Sequence, residues 1–355
     1  MNRQKLSFSN LRFTYLFNIF GTKPVYYFMK ISVAFIIYNG SHYLRTQLDS
    51  ILAQTLPVDE IVICDDASSD NSKKILDEYK NNHFNLFIIH YNTKNIGPTK
   101  NIEKAIQACT GDIILLADQD DYWEANKVEN IIKYFEQNPN MNGVFTNGSL
   151  MNANGELDNK YSLWDTMSFP YEAIKINNEL NNNLKLYINT VENCVTGATL
   201  AIRNNLTFLQ QPFPLIKHLV HDRWLAMNLA ETNSVGILEE KLIRYRIHSA
   251  QAIGGMKENI ENYIELNKNL FEGEVNINNS INSFKDLRYI LNKIEINLHI
   301  QIEISKIDKK GFDNTNYITI LKNIQKIYTA FGLKKWPLLT SLRKIKKLFL
   351  PTVYQ

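Results

Sequence analysis

Ile31-Ser32-Val33-Ala34-Phe35-Ile36-Ile37-Tyr38-Asn39 is the stretch from which the fold can be read. A nearly unbroken apolar run of this length predicts a strand covered on both faces. Asn39, Gly40 and Ser41 end it, and Leu44, Leu48, Ile51 and Leu52 then recur at helical spacing through residues 43–53. The alternation repeats, with strands at 61–64, 86–90 and 113–117. Helices are expected through Ile75 and Tyr79, over 102–109 and over 124–137. This pitch predicts right-handed βαβ units: an α/β fold with a Rossmann-like, mainly parallel central sheet flanked by helices. Ligands of such sheets bind beyond the carboxyl ends of the strands. The groups to interrogate are therefore Tyr38-Asn39, Asp65-Asp66, and Asp118 to Asp121.

Residues 150–195 are Asn-rich and weakly periodic, and are expected to form a loop-rich excursion. Regularity returns at 196–202, at 222–229 (helical) and at 242–247 (strand-like). Helical spacing dominates from about 257, with a break at 311–316. The reading divides the chain into an extension at 1–30, a main domain at 31–255 and a helical region with a basic tail at 256–355.

Of the 355 residues 45% are hydrophobic, enough for a sizeable core. Cys64, Cys109 and Cys194 lack metal-like spacing, and their odd number suits a reducing compartment. The net charge of +3 conceals a strong asymmetry. Residues 1–30 carry Arg3, Lys5, Arg12, Lys23 and Lys30 among many aromatics, with no acid. Residues 314–355 carry eight cations, again with no acid, interleaved with apolar side chains over 333–350. The middle is correspondingly acidic. Basic amphipathic ends suit either an anionic membrane surface or a solvated face packed on the body. No apolar run approaches the ~20 residues that span a bilayer, and no signal peptide is evident. The expected location is the cytoplasm, peripheral at the inner face of the plasma membrane, with no nucleic-acid partner. Met29, directly before the regular pattern, offers an alternative start.

The most informative chemistry is Asp118-Gln119-Asp120-Asp121-Tyr122-Trp123. Three carboxylates in four residues after a buried strand either call for a cation or cationic partner to offset their repulsion or form only a polar loop that caps the strand and starts a helix. Mg²⁺ and similar hard cations bridge one or two such carboxylates to substrate phosphates. Asp66 either accepts a nucleobase N–H, with Tyr38 covering base or ribose, or belongs with Asp65 to a helix cap. Asn95 and Gly97 either let a ligand approach the backbone or only shape a turn before Pro98. Asp222 is either a general base or a helix cap. Arg244, Arg246 and His248 either neutralise a diphosphate or, for His248, complete a metal shell or serve only as a satisfied polar group beside Gly254-Gly255. No Gly-rich P-loop is present.

Together Ile31–Asn39, Leu48 to Thr55, Glu60 to Asp70 and Leu116 to Trp123 resemble glycosyltransferase family 2. With His221-Asp222 and Tyr245-Arg246-Ile247-His248, the pattern over 31–255 is similar to a bacterial branch rich in rhamnosyltransferases and polysaccharide-assembly enzymes. The resemblance implies a GT-A fold, a dTDP- or UDP-linked sugar donor, Mg²⁺ or Mn²⁺, and inversion at the anomeric carbon. The transferred sugar would be rhamnose or another hexose, and the acceptor a carbohydrate or lipid-linked glycan. Donor contacts are expected from Tyr38, Asp66, Asn95, Gly97, Asp118, Arg246 and His248. Asp118, Asp120 and His248 would hold the metal, with Asp120 the most direct ligand. Asp222 would be the base, and Asp121, Trp123 and His221 would face the acceptor. Three positions depart from the family pattern: Ile37 replaces Thr or Ser, Ala67 replaces Gly, and His221 stands where an acid often precedes the base. Two other classes compete. A nucleotidyltransferase needs a Gly-rich basic loop that Tyr38-Asn39-Gly40-Ser41-His42 does not supply. A catalytically inactive sugar-binding scaffold would be expected to have lost carboxylates, and all of them remain.

Overall fold

Residues 31–37 form the strand they predict, β1 (Ile31–Ile37), with Ile31, Val33, Ala34 and Phe35 fully enclosed. The computed structural model describes residues 14–15, 26–27, 29–175, 180–249, 260–272, 281, 283–307, 314–337 and 339–341. Most of the 1–30 extension, Gly254-Gly255 and the tail beyond residue 341 lie outside the described residues.

β2 (Glu60–Asp65) and β3 (Phe87–Tyr91) follow on one side of β1, and β4 (Ile113–Ala117) lies on the other. All four are parallel, in register through Phe35↔Ile63, Phe35↔Ala117 and Ile63↔Ile89. The order β3-β2-β1-β4 makes the β1/β4 boundary the point where the sheet reverses its direction of growth. Such a boundary opens a crevice at the carboxyl ends of its two strands.

Helices α1 (Leu44–Leu52), α2 (Ser72–Asn82), α3 (Pro98–Ala108) and α4 (Lys127–Gln137) supply the crossovers. Each buries one stripe: Leu44, Leu48 and Ile51 in α1, Ile102, Ala105 and Ile106 in α3, Val128, Ile131 and Phe135 in α4.

Beyond β4 the sheet becomes mixed. It gains β5 (Tyr122–Trp123), β6 (Gly143–Met151), β7 (Leu157–Ser162), β8 (Leu200–Arg203) and β9 (Val235–Arg246). The order across the nine-stranded sheet is β3-β2-β1-β4-β8-β6-β9-β5, with β7 paired to β6. β8 runs antiparallel to both neighbours, and β9 runs parallel to β6. The sequence conceals β6 because its centre reads Thr146-Asn147-Gly148-Ser149, although Thr146 is fully buried.

The described residues fall into two compact units. The first takes the sheet, from Met1–Ser162, Val195–Phe213 and Ser234–Ala252. The second takes Leu163–Cys194, Pro214–Asn233 and Ile253–Gln355. It is helical, built from α5 (Leu180–Thr190), α6 (His221–Glu231), α7 (Ile260–Glu272), α8 (Phe284–Ile307) and α9 (Thr315–Lys335). The expected loop-rich excursion at 150–195 is therefore corrected: it holds the end of β6, β7, two single-turn helices and α5. Asparagine masks the helix because its amides bond locally, as Asn189 Nδ2 does to Lys185 O at 2.9 Å. Among the described residues, no helix is long and apolar enough to cross a membrane.

Candidate active site

The crevice starts where β1 ends. Tyr38 is half exposed, and Gln119, just past β4, clasps its backbone. The Tyr38 N–H donates to Gln119 Oε1 at 2.8 Å, and Gln119 Nε2 donates back to Tyr38 O at 3.0 Å. Gly40 lies against that amide: a Cβ there would come within 2.3 Å of Gln119 Oε1. Asn39 adopts a positive φ of 50°, and its Oδ1 accepts the Ser69 N–H at 2.8 Å. Gly40 and Ser41 donate to Ser72 Oγ and Asp70 Oδ2, so the loops after β1 and β2 are sewn together. Ala67 sits at φ 62°, the left-handed region that explains the glycine usual at that position.

Asp66 is buried, and its carboxylate holds the next loop. Oδ1 accepts from Ile96 N–H and Asn92 Nδ2, and Oδ2 from Gly97 N–H, each at 2.9 Å. Lone-pair arithmetic leaves one acceptor position on Oδ2. Gly97 has φ 83° and ψ 161°, a conformation essentially confined to glycine, although space for a Cβ is open. Asn95 Oδ1 accepts the same Gly97 N–H at 3.1 Å. Burial, ahead of the bonds from Ser68, pushes the Asp65 carboxyl up.

In the acidic loop, Asp120 Oδ2 lies 2.9 Å from His248 Nε2. The His248 ring also meets Tyr43, with centroids 5.0 Å apart. Asp121 and Trp123, expected to face the acceptor, are corrected: both are enclosed by protein. Asp121 Oδ1 accepts the Arg246 N–H at 3.0 Å, while Oδ2 is buried with no hydrogen-bond partner among the described residues. Burial, then the charges of Asp120 and Asp118, push the Asp121 carboxyl well above the usual range. Trp123 lies under the Lys127 ammonium, 4.1 Å from its ring centre. Lys127 is itself buried and donates to Ala198 O at 2.6 Å; burial pushes its ammonium down to about 7.

Arg246, expected to meet the donor, is only 4% exposed and bonds backbone oxygens. Its Nε donates to Asp120 O at 2.7 Å, and Nη1 donates to Asn152 O and Ala153 O at 3.2 Å. Its guanidinium carbon lies 4.4 Å over the Tyr43 ring. The cation is thus a strut between the acidic loop and the turn at 152–155. Arg244 pairs with Glu124 at 2.7 Å.

His221 and Asp222 belong to the second unit. Asp222 lies in the first turn of α6, and its Oδ1 accepts from Asn193 Nδ2 at 3.0 Å and Arg223 N–H at 2.5 Å. The carboxylate thus helps to hold the helix end while being aimed by Asn193. Lost solvation pushes the half-buried His221 imidazole down to about 4. Arg223 is buried, bonding Ile188 O and Asn297 Oδ1 at 2.7 Å each.

Gln119, Asn92, Tyr43, Lys127 and Asn193 were not anticipated from sequence. Only Lys127 left a signal, a lysine on the apolar stripe of Val128, Ile131 and Phe135.

Among the described residues, no three His, Cys, Asp or Glu side chains form a complete metal cage. Asp120 and His248 do offer a carboxylate oxygen and an imidazole nitrogen side by side. An ion shared with a diphosphate needs only such a partial protein set, so the residues present fit it.

Residues 32–198 match the family model described as "Glycosyl transferase family 2". The chain is 33% identical over 129 residues to the poly(ribitol-phosphate) beta-glucosyltransferase of Bacillus spizizenii, covering 36% of this chain and 20% of that protein. It is 25% identical over 219 residues to the Escherichia coli UDP-Glc:alpha-D-GlcNAc-diphosphoundecaprenol beta-1,3-glucosyltransferase WfgD, covering 61% of this chain and 77% of that one. The matched stretch spans between 20% and 38% of the length of the first curated relatives. The solved structure of S. aureus TarS 1–349 with UDP-GlcNAc superposes with a TM-score of 0.48 at 16% identity, over 84% of this chain and 92% of that one.

Proposed function

Residues 32–198 belong to glycosyltransferase family 2, and from that premise we propose that this chain is an inverting glycosyltransferase of surface-polysaccharide synthesis. Its donor is a dTDP- or UDP-linked hexose, rhamnose included, and its acceptor a glycan or lipid-linked glycan at the inner face of the plasma membrane. The observation that carries the reading is Asp120, on the loop that follows β4 at the reversal point of the sheet, with His248, just past β9, 2.9 Å away.

In this reading the nucleoside lies across Tyr38, with the remaining Oδ2 acceptor of Asp66 and the turn at Asn95 and Gly97 bounding it. The diphosphate lies toward Asp118 and Asp120. A Mg²⁺ or Mn²⁺ ion held by Asp120 and His248, with Asp118 nearby in sequence, would neutralise the charge of the diphosphate. Asp222 takes the proton of the acceptor hydroxyl as its oxygen bonds to the anomeric carbon from the face opposite the diphosphate. The bond from that carbon to the diphosphate oxygen breaks, and the nucleoside diphosphate leaves with the electron pair. Asn193 and the Arg223 N–H orient the carboxylate for this step, and Arg246 keeps the acidic loop in place.

The test is release of nucleoside diphosphate from a panel of nucleotide sugars, with and without glycan acceptors, by the wild-type chain and by Asp222→Asn. Acceptor-dependent release that the variant loses by 10²-fold or more is expected for a general base, on the order of its usual contribution. Equal rates in the two proteins would remove Asp222 from the mechanism. Release with no dependence on any acceptor would remove the transferase reading.

A further inference from the structure

We propose that the outward face of α9, in its hairpin with α8, is a docking surface for an anionic lipid bilayer. α9 turns Tyr317, Leu321, Tyr328 and Gly332 inward. Gly332 approaches α8 so closely that a Cβ would stand 2.5 Å from Leu287 Cδ2. The four inward residues recur at helical spacing, which fixes the opposite arc as the outer one. That arc exposes Lys322, Lys326 and Lys334, with exposed Ile327 and Leu333 among them and exposed Leu339 just beyond the helix. No Asp or Glu occurs anywhere in residues 314–355.

The start of α8 adds to the same end of the hairpin. Phe284 and Trp336 meet with ring centroids 6.1 Å apart, so exposed Lys285 and Arg288 neighbour the carboxyl end of α9. The acid of that turn, Asp286, is buried and accepts bonds from Asn262 and the Ser283 N–H.

Two properties together select the occupant. Cations without a compensating acid call for an anionic partner, and each one near an anionic bilayer strengthens partitioning about fivefold. Exposed Ile327, Leu333 and Leu339 would be idle against a polyanion such as nucleic acid. They can enter the boundary between headgroups and acyl chains while the lysine stems reach back to the phosphates. A bilayer satisfies both. Catalysis is not required for this contact, so the transferase reading and this one fail separately.

The experiment is co-sedimentation of the full-length protein with phosphatidylcholine vesicles, with and without phosphatidylglycerol. The wild-type protein is expected to sediment with the anionic vesicles only, and less as salt rises. K322E/K326E/K334E should lower the partition coefficient by at least about 100-fold, from three cations lost before the repulsion of the added acids. I327D/L333D should lower it as well, which pure charge attraction would not produce. Unchanged melting temperature and nucleotide release keep the comparison fair, and K322Q/K326Q/K334Q substitutes if the reversed variant does not fold. The proposal is overturned if the wild type ignores anionic vesicles or binds neutral ones equally. It is also overturned if the lysine variants bind as the wild type does, or if duplex DNA displaces the protein from vesicles.

Discussion

Replacing Arg246 by Met separates a strut from a phosphate clamp. Methionine fills most of the space of the arginine stem, so the cavity contribution is small. What is lost is the charged bond from Nε to Asp120 O at 2.7 Å and the two longer bonds to Asn152 O and Ala153 O at 3.2 Å. A hydrogen bond to a charged group contributes about 1.5–3 kcal/mol, and the longer pair shares one nitrogen. The stacking on Tyr43 adds roughly 0.5–1 kcal/mol. At 4% exposure little is lost to solvent screening, and the sum is about 4 kcal/mol of folding stability. Guanidinium unfolding measures that change, and calorimetric titration with UDP and dTDP without divalent metal measures affinity. A strut predicts a loss near that size with nucleotide affinity changed by less than about threefold. Arg246→Lys, which can reach only one of the carbonyls, should lose about half as much. A clamp would instead leave stability within about 1 kcal/mol and weaken nucleotide binding more than tenfold, and that outcome would rule out the strut.

Glu60 gives a pH prediction. Burial pushes its carboxyl up, but bonds from Ser32 Oγ, the Thr110 N–H and hydroxyl, and Lys30 outweigh this and hold it at about 2. The folded value lies below the unfolded one. Its contribution, about 3 kcal/mol, is therefore present above pH ~4.5 and lost as pH falls toward 2. Glu60→Gln should be less stable at neutral pH and show a flatter acid limb in urea melts; an unchanged limb contradicts the assignment. Ala67→Gly should raise stability by about 0.5 kcal/mol, because relief at φ 62° exceeds the added freedom of the unfolded chain. A drop in melting temperature would count against it. Asn193→Leu removes a donor to Asp222, which favours the protonated acid. The acid limb of the kcat/KM profile should move to higher pH, whereas a purely structural effect would lower the rate at every pH alike.

The parallel half of the fold was legible because β1, β2 and β4 are buried on both faces and therefore read as apolar runs. β6 was not, since an interior strand whose centre is Thr146-Asn147-Gly148-Ser149 satisfies its polar groups in place: Thr146 Oγ donates to Asn147 O at 3.0 Å. The acidic loop could be found because three like charges after a strand demand an explanation. The partition of labour within it could not. Whether a carboxylate faces solvent or, like Asp121, lies behind the loop depends on which way a two-residue strand pairs, here Trp123 with Ile243 of β9. Arg246 was misread for a related reason: a cation near the expected diphosphate reads as its ligand until three backbone oxygens are found already holding it. Ala67 was legible as a departure, and its positive φ supplies the physical cause.

In the proposed mechanism Asp120 and His248 would hold a divalent ion that the donor diphosphate shares. Calorimetric titration of nucleoside diphosphate into the wild-type chain and Asp120→Asn, with Mn²⁺ and with excess chelator, addresses it directly. Mn²⁺ should strengthen nucleotide binding by tenfold or more, about 1.4 kcal/mol, in the wild type and leave the variant at its chelated affinity. Equal strengthening in both proteins, or none in the wild type, would mean that Asp120 and His248 hold no such ion.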